Sequence, residues 1–137
     1  MDTAALAVSP FVTLVAWSVV LLVFHVGLQG FSATLELGSA WNAGPRDEEK
    51  KPSGTLAGRA ARASANFRET YPAFVGLTLA LAITGDLTGW GLVGAWTWLV
   101  CRIIYIPLYL AGIPYVRSLI WLGSLAGLLI MVATLVF

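Results

Sequence analysis

The sequence predicts an all-α protein that crosses a lipid bilayer as a bundle of four helices. Three observations predict it. Of 137 residues, 58% are hydrophobic and 11% are charged, and the mean hydropathy is +0.84, a composition outside the range of water-soluble domains. Four apolar runs, about 8–30, 63–85, 89–111 and 114–136, are each long enough to cross a hydrocarbon core, which takes roughly 20 helical residues. Charge is also segregated, because all 8 Lys and Arg fall within 46–68 and 102–117. These basic residues form no extended patch free of acids, so no nucleic-acid surface is expected.

The first segment, VSPFVTLVAWSVVLLVFHVGLQGF, is interrupted only by His25 and Gln29 near its far end. No basic stretch precedes it and no clear small-residue cleavage site follows, so it is expected to be a retained span. Residues 32–58 are expected to be a hydrated loop. They combine Glu36, Arg46, Asp47, Glu48, Glu49, Lys50 and Lys51 with Gly44, Pro45, Pro52, Ser53 and Gly54, which breaks any periodicity and reads as a solvated or partly disordered hairpin. The second helix is expected to begin a turn or two before its apolar run, capped by Ser53 or Thr55.

The third segment opens at Gly89-Trp90, an aromatic placed where interfacial anchors are favoured, and ends at Ala111-Gly112. Pro107 within it removes a backbone donor and should bend the helix. The fourth follows Pro114 and has Arg117 as its only charge. The connections at 85–89 and 112–114 are so short that the last three spans are expected to be consecutive antiparallel neighbours. A single domain over 1–137 follows. With four spans, the 32–58 loop and the 112–116 turn share the side that holds the Lys and Arg, while Asp2 and Asp86 lie on the other. The positive-inside rule makes the loop cytoplasmic and puts both termini outside.

The polar residues inside this apolar chain are its candidate site. At about 100° per residue, Arg59, Arg62, Asn66 and Glu69 fall within roughly 80° on one face of the second helix. Arg102, Tyr105 and Tyr109 share a face of the third within roughly 60°. Antiparallel packing brings both stripes, with Arg117, to one cytoplasmic layer that has surplus positive charge and phenolic donors. Such a layer suits an anionic ligand bearing carboxylates or a thiolate, and ionisable groups at membrane depth are functional candidates by default. Snorkelling, lipid phosphate binding or helix pairing is the competing use of each arginine. A pairing of Glu69 with Arg62 or Arg102 is expected under either use.

His25 is expected to hydrogen-bond between helices. With no second histidine, and Cys101 as the only cysteine, neither a metal site nor a disulfide is expected. The tryptophans at 17, 41, 90, 96, 98 and 121 are expected mostly in bilayer contacts or as interface anchors. Polar groups confined to one end of four helices provide no path for a channel.

The segment Arg59-x-x-Arg62-Ala63-x-x-Asn66-x-x-Glu69-x-x-Pro72-x-Phe74 resembles the hallmark of the MAPEG superfamily, the membrane-associated proteins of eicosanoid and glutathione metabolism. Arg102-x-x-Tyr105-x-x-x-Tyr109 followed by Arg117 extends the resemblance over nearly the whole chain. The resemblance implies a homotrimer with glutathione as co-substrate in a cleft between subunits and a small lipophilic electrophile arriving from the bilayer. Arg62, Asn66 and Glu69, with Arg59 nearby, would hold glutathione from one helix. From the facing helix Arg102, Tyr105 and Tyr109 would complete the glutathione-binding set, and Arg117 would stabilise the thiolate. The implied activity is that of a membrane-bound glutathione-dependent transferase or peroxidase. A non-catalytic lipid-binding or scaffold protein of the same fold is the alternative.

Two departures matter. Leu28-Gln29-Gly30-Phe31-Ser32 stands where some members carry a basic residue, and Ala65 where one branch has arginine. The loop Asn42-Ala43-Gly44-Pro45-Arg46-Asp47 matches none of the characterised eukaryotic enzymes, so the expectation is a bacterial-type member in an inner membrane.

Overall fold

A computed structural model describes residues 9–137; Asp2, residue 8 at the start of the first expected span and the expected outer N-terminus lie outside the described residues. Every regular element among the described residues is an α-helix. Four are long, α1 (Pro10–Leu37), α3 (Thr55–Thr84), α4 (Trp90–Leu110) and α5 (Val116–Val136), and α2 (Ser39–Ala43) is a single short turn of helix. Three of them, α1, α4 and α5, are long and apolar enough to cross a membrane.

The first correction concerns the connection at 32–58. Helix α1 runs through Ser32 and Glu36 to Leu37, well past the drop in hydropathy. It stops at Gly38, whose φ of 95° is a conformation that glycine adopts at little steric cost. Only Gly38 and residues 44–54 of the expected loop are irregular. Helix α3 then starts at Thr55 with no side-chain cap of its own. Its cap comes from α1 instead: the Glu36 carboxylate accepts from the Ser53 N–H at 2.7 Å, the Ser53 hydroxyl at 3.0 Å and the Gly54 N–H at 2.8 Å. A carboxylate at a helix N-terminus satisfies orphan donors and complements the helix dipole. Glu36 lies beyond the expected span 8–30, and these backbone N–H bonds, Gly54 first, hold its carboxyl below the usual range.

Packing is uneven. Helices α4 and α5 make the most extensive contact, α1 packs chiefly on α3, and α3 sits centrally, touching α1, α4 and α5; α1 and α5 do not meet. At the α4/α5 crossing the backbones meet at Gly94 and Gly127, where an added Cβ on either would lie 2.6 Å from the other's carbonyl oxygen.

The core between α1, α3 and α4 is aromatic. Phe67, Tyr71 and Phe74 share one face of α3, and Trp98 of α4 stacks on Phe74 with centroids 4.0 Å apart and planes at 12°. Trp98 is fully buried, so this tryptophan is core rather than a bilayer contact. His25 corrects a second expectation. It is buried, but neither ring nitrogen has a hydrogen-bond partner among the described residues; the ring packs against Phe67 at 4.7 Å. A polar link between α1 and α3 is made about two turns earlier on α1 by Ser18 Oγ and Tyr71 Oη, 3.1 Å apart. The Cys101 sulfur packs toward Gly123 of α5.

Candidate functional site

The start of α3 and the end of α4 meet through three polar contacts that fix their register. Arg59 Nη1 donates to the Leu110 carbonyl at 3.0 Å. Arg62 Nε donates to the Tyr109 hydroxyl at 3.2 Å. Deeper in, Arg102 Nη1 donates to Asn66 Oδ1 at 2.8 Å. As α3 advances from 59 to 66, its partners on α4 retreat from 110 to 102, as antiparallel helices require.

Arginine 59 acts as a staple for the end of α4. The last carbonyls of a helix lack intrahelical donors, and the guanidinium supplies one to Leu110 while lying over Gly112. At Gly112 φ is 71°, a backbone conformation that favours glycine, and a Cβ there would fall 2.6 Å from Arg59 Nη2, so the guanidinium would have to shift to admit one. Arg117, in the first turn of α5, places its guanidinium carbon 4.8 Å from the centre of the Tyr109 ring. That ring therefore carries one arginine at its hydroxyl and another over its face. Tyr105 lies beside it, with ring centroids 5.5 Å apart.

Burial divides the expected site residues. Arg62 and Glu69 are exposed on the surface of the chain, and Arg59, Asn66, Tyr109 and Arg117 are half-buried. Arg102 has 0% and Tyr105 4% of its surface exposed. The Arg102 guanidinium is held between the Tyr105 ring at 4.5 Å and the Phe67 ring at 5.6 Å, cation–π contacts that offset part of the cost of burying its charge. Its Nε and Nη2 have no hydrogen-bond partner among the described residues.

The expected ion pair of Glu69 with Arg62 or Arg102 is not formed. Among the described residues the one ion pair is Lys50–Glu48 at 2.9 Å, exposed in the 44–54 connection. The reason is angular: the Arg102 side chain enters the core toward Asn66 and Phe67, whereas Glu69 turns to the outer surface of α3.

Beside this layer, α1 and α4 enclose a lateral apolar groove of about 690 Å³, walled by Trp17, Leu21 and Phe24 on one side and Trp96, Ile103 and Leu110 on the other. Its last wall residue, Leu110, is the one whose carbonyl Arg59 holds. Periodicity gave no sign of this groove, because its lining is indistinguishable in type from residues that face lipid. Arg68, exposed on α3 next to Glu69, also lay outside the recognised stripe, because one residue along the chain turns a side chain by about 100°.

No curated protein and no solved structure matches this chain. The profile of the MAPEG family matches residues 12–137, a span that contains both polar stripes, the Arg59 staple and Arg117, and the chain belongs to that family of membrane proteins of eicosanoid and glutathione metabolism.

Proposed function

We propose that the chain is a single four-span membrane domain that assembles as a homotrimer. In this reading it is a glutathione-dependent transferase or peroxidase acting on lipophilic electrophiles. The observation that carries the assembly is Glu69. Arg59 is level with the end of α4 through its bond to Leu110, and Glu69 lies ten residues further along α3, about 15 Å deeper along the helix axis. At that depth it is exposed on the outer face of the chain. A carboxylate facing hydrocarbon there costs on the order of 2.5–3.5 kcal/mol. A second copy covering this face relieves that cost and closes a polar cleft around Arg62, Asn66, Glu69, Tyr109 and Arg117. The loop side of the cleft is cytoplasmic under the positive-inside rule.

The chemistry follows from the accessible groups. Glutathione brings carboxylates to Arg62 and Arg59, and its sulfur to Arg117. A free thiol titrates near pH 8.5 and reacts as the thiolate. A guanidinium that lowers the thiol pKa by one unit contributes about 1.4 kcal/mol of preference for the reactive form. In transfer, the thiolate forms a C–S bond at the electrophilic carbon, and the electron pair leaves on the departing group or protonates as an alkoxide. In peroxide reduction, the thiolate sulfur takes the terminal oxygen as O–O breaks, the leaving alkoxide is protonated to the alcohol, and the resulting sulfenic acid condenses with a second glutathione to give disulfide and water.

A scaffold without turnover has one observation in its favour, namely that Arg59 and Arg62 already tie α3 to α4. Glutathione titration of the detergent-purified protein, followed by thiolate absorbance, separates the two. A saturable signal that disappears in Arg117→Ala is expected for the transferase or peroxidase. No signal in either protein would refute it in favour of the scaffold.

A further inference from the structure

We propose that Arg102 is a positioning residue that acts on the ligand through Asn66, not a ligand contact itself. Arg102 has no exposed surface even in the isolated chain, and assembly with other copies can only bury it further. Its one hydrogen bond among the described residues goes to Asn66 Oδ1. A guanidinium has donors and no acceptor, so it fixes which end of the amide faces it. The oxygen of Asn66 points inward to Arg102, and the NH₂ is turned away from the core.

Asn66 is half-buried, and its amide nitrogen has no hydrogen-bond partner among the described residues while not being one of the buried orphan atoms. The group offered at this point of the cleft is therefore a donor of fixed direction, which selects an acceptor oxygen, a carbonyl or carboxylate, on the ligand. Without Arg102 the amide could rotate and present its oxygen, which would repel the same acceptor. The Tyr105 and Phe67 rings, 4.5 and 5.6 Å from the Arg102 guanidinium carbon, add contacts that a fork turning away from Asn66 would have to give up.

This inference rests on the reading of the cleft as a glutathione site, and a double-mutant cycle separates the two. Glutathione dissociation constants and ligand-free thermal midpoints are measured for the wild type, Asn66→Ala, Arg102→Met, the double variant and Arg102→Lys in detergent. Each single variant is expected to weaken glutathione about tenfold, the loss of one hydrogen bond. The double variant is expected to be no weaker than the worse single, and Arg102→Lys to recover most of the loss. Losses that multiply toward a hundredfold would mean that Arg102 touches the ligand, and would overturn the proposal. A lowered midpoint in Arg102→Met with an unchanged dissociation constant would also overturn it, leaving a purely structural arginine. If the wild type binds no glutathione, the glutathione reading fails and the proposal falls with it, and non-additive midpoint losses would then show only that Arg102 and Asn66 are structurally coupled. Should Arg102→Met fail to fold, Asn66→Asp takes its place: it keeps the acceptor for Arg102 and removes the outward donor, so glutathione is expected to weaken at least tenfold without a lowered midpoint, and an unchanged dissociation constant would overturn the proposal.

Discussion

Replacing Gly94 by alanine tests whether the α4/α5 pair is held by backbone contact. The new Cβ would stand 2.6 Å from the Gly127 carbonyl oxygen and 2.9 Å from Met131 Cγ. Ordinary contact begins near 3.4 Å, so the helices must part by about 0.8 Å (3.4 − 2.6) at the crossing. The flexible end of Met131 can move aside, but the carbonyl cannot. A gap of that size forfeits a quarter to a half of each dispersion contact it opens, and overpacking of a tight core costs about 1–3 kcal/mol. Alanine otherwise favours a helix over glycine by about 1 kcal/mol. With backbone rather than a movable side chain in the way, the cost falls at the upper end, about 2–3 kcal/mol, and the helix gain reduces it to a net loss of about 1–2 kcal/mol, read as a lower thermal midpoint in detergent. Gly76→Ala is the control, because nothing lies within 4 Å of its Cβ position, and its midpoint should rise. An unchanged or raised midpoint for Gly94→Ala would refute the argument that the two backbones are in contact.

Trp98→Ala, which empties the centre of the aromatic core, is expected to cost about 3–5 kcal/mol, and retention of a wild-type thermal midpoint would count against that core. Arg59→Ala leaves the Leu110 carbonyl without its donor and should cost about 1–2 kcal/mol, while an Ala variant as stable as the wild type would show that water replaces the guanidinium. For Glu36 the folded carboxyl titrates below its usual value. Its anchoring of Ser53 and Gly54 is thus complete above the ordinary carboxylate range and is lost as pH falls through the depressed folded pKa. Hydrogen exchange at the Ser53 and Gly54 amides should accelerate at neutral pH in Glu36→Ala. Exchange in that variant as slow as in the wild type would show that something else holds these amides.

Hydropathy located α4 and α5 within two residues, because glycine and proline bound each apolar run closely. It failed at the end of α1 for a physical reason. Membrane hydropathy reports the solvent a segment prefers, whereas a helix ends where its backbone is turned, and Gly38, not Ser32, does that. The stripes at Arg59, Arg62 and Asn66 and at Tyr109 were legible because a helix fixes side-chain direction to within a few tens of degrees. Which members turn inward was not, since that depends on how α3 rotates against α4. Arg102 shows the limit most clearly. From sequence, a buried arginine calls for a carboxylate, yet Phe67, Tyr105 and one amide oxygen hold it, a solution that pairwise charge reasoning does not anticipate. His25 is a parallel case, in which an aromatic neighbour occupies the place expected for a hydrogen-bond partner.

The Glu36 clip bears on how the chain between α1 and α3 can be altered. Because Ser53 and Gly54 are tied back to the end of α1, the intervening segment is a ring whose base is closed before its tip is specified. Loop-closure entropy grows only logarithmically, about 0.6 kcal/mol for each doubling of length. Extra residues inserted among Asp47–Lys50 should therefore change the tip and leave the level of Arg59 unmoved. That tip is a natural attachment point for a tag or fluorophore, from which exposure of the loop to either aqueous compartment can be read in a living membrane without touching the cleft.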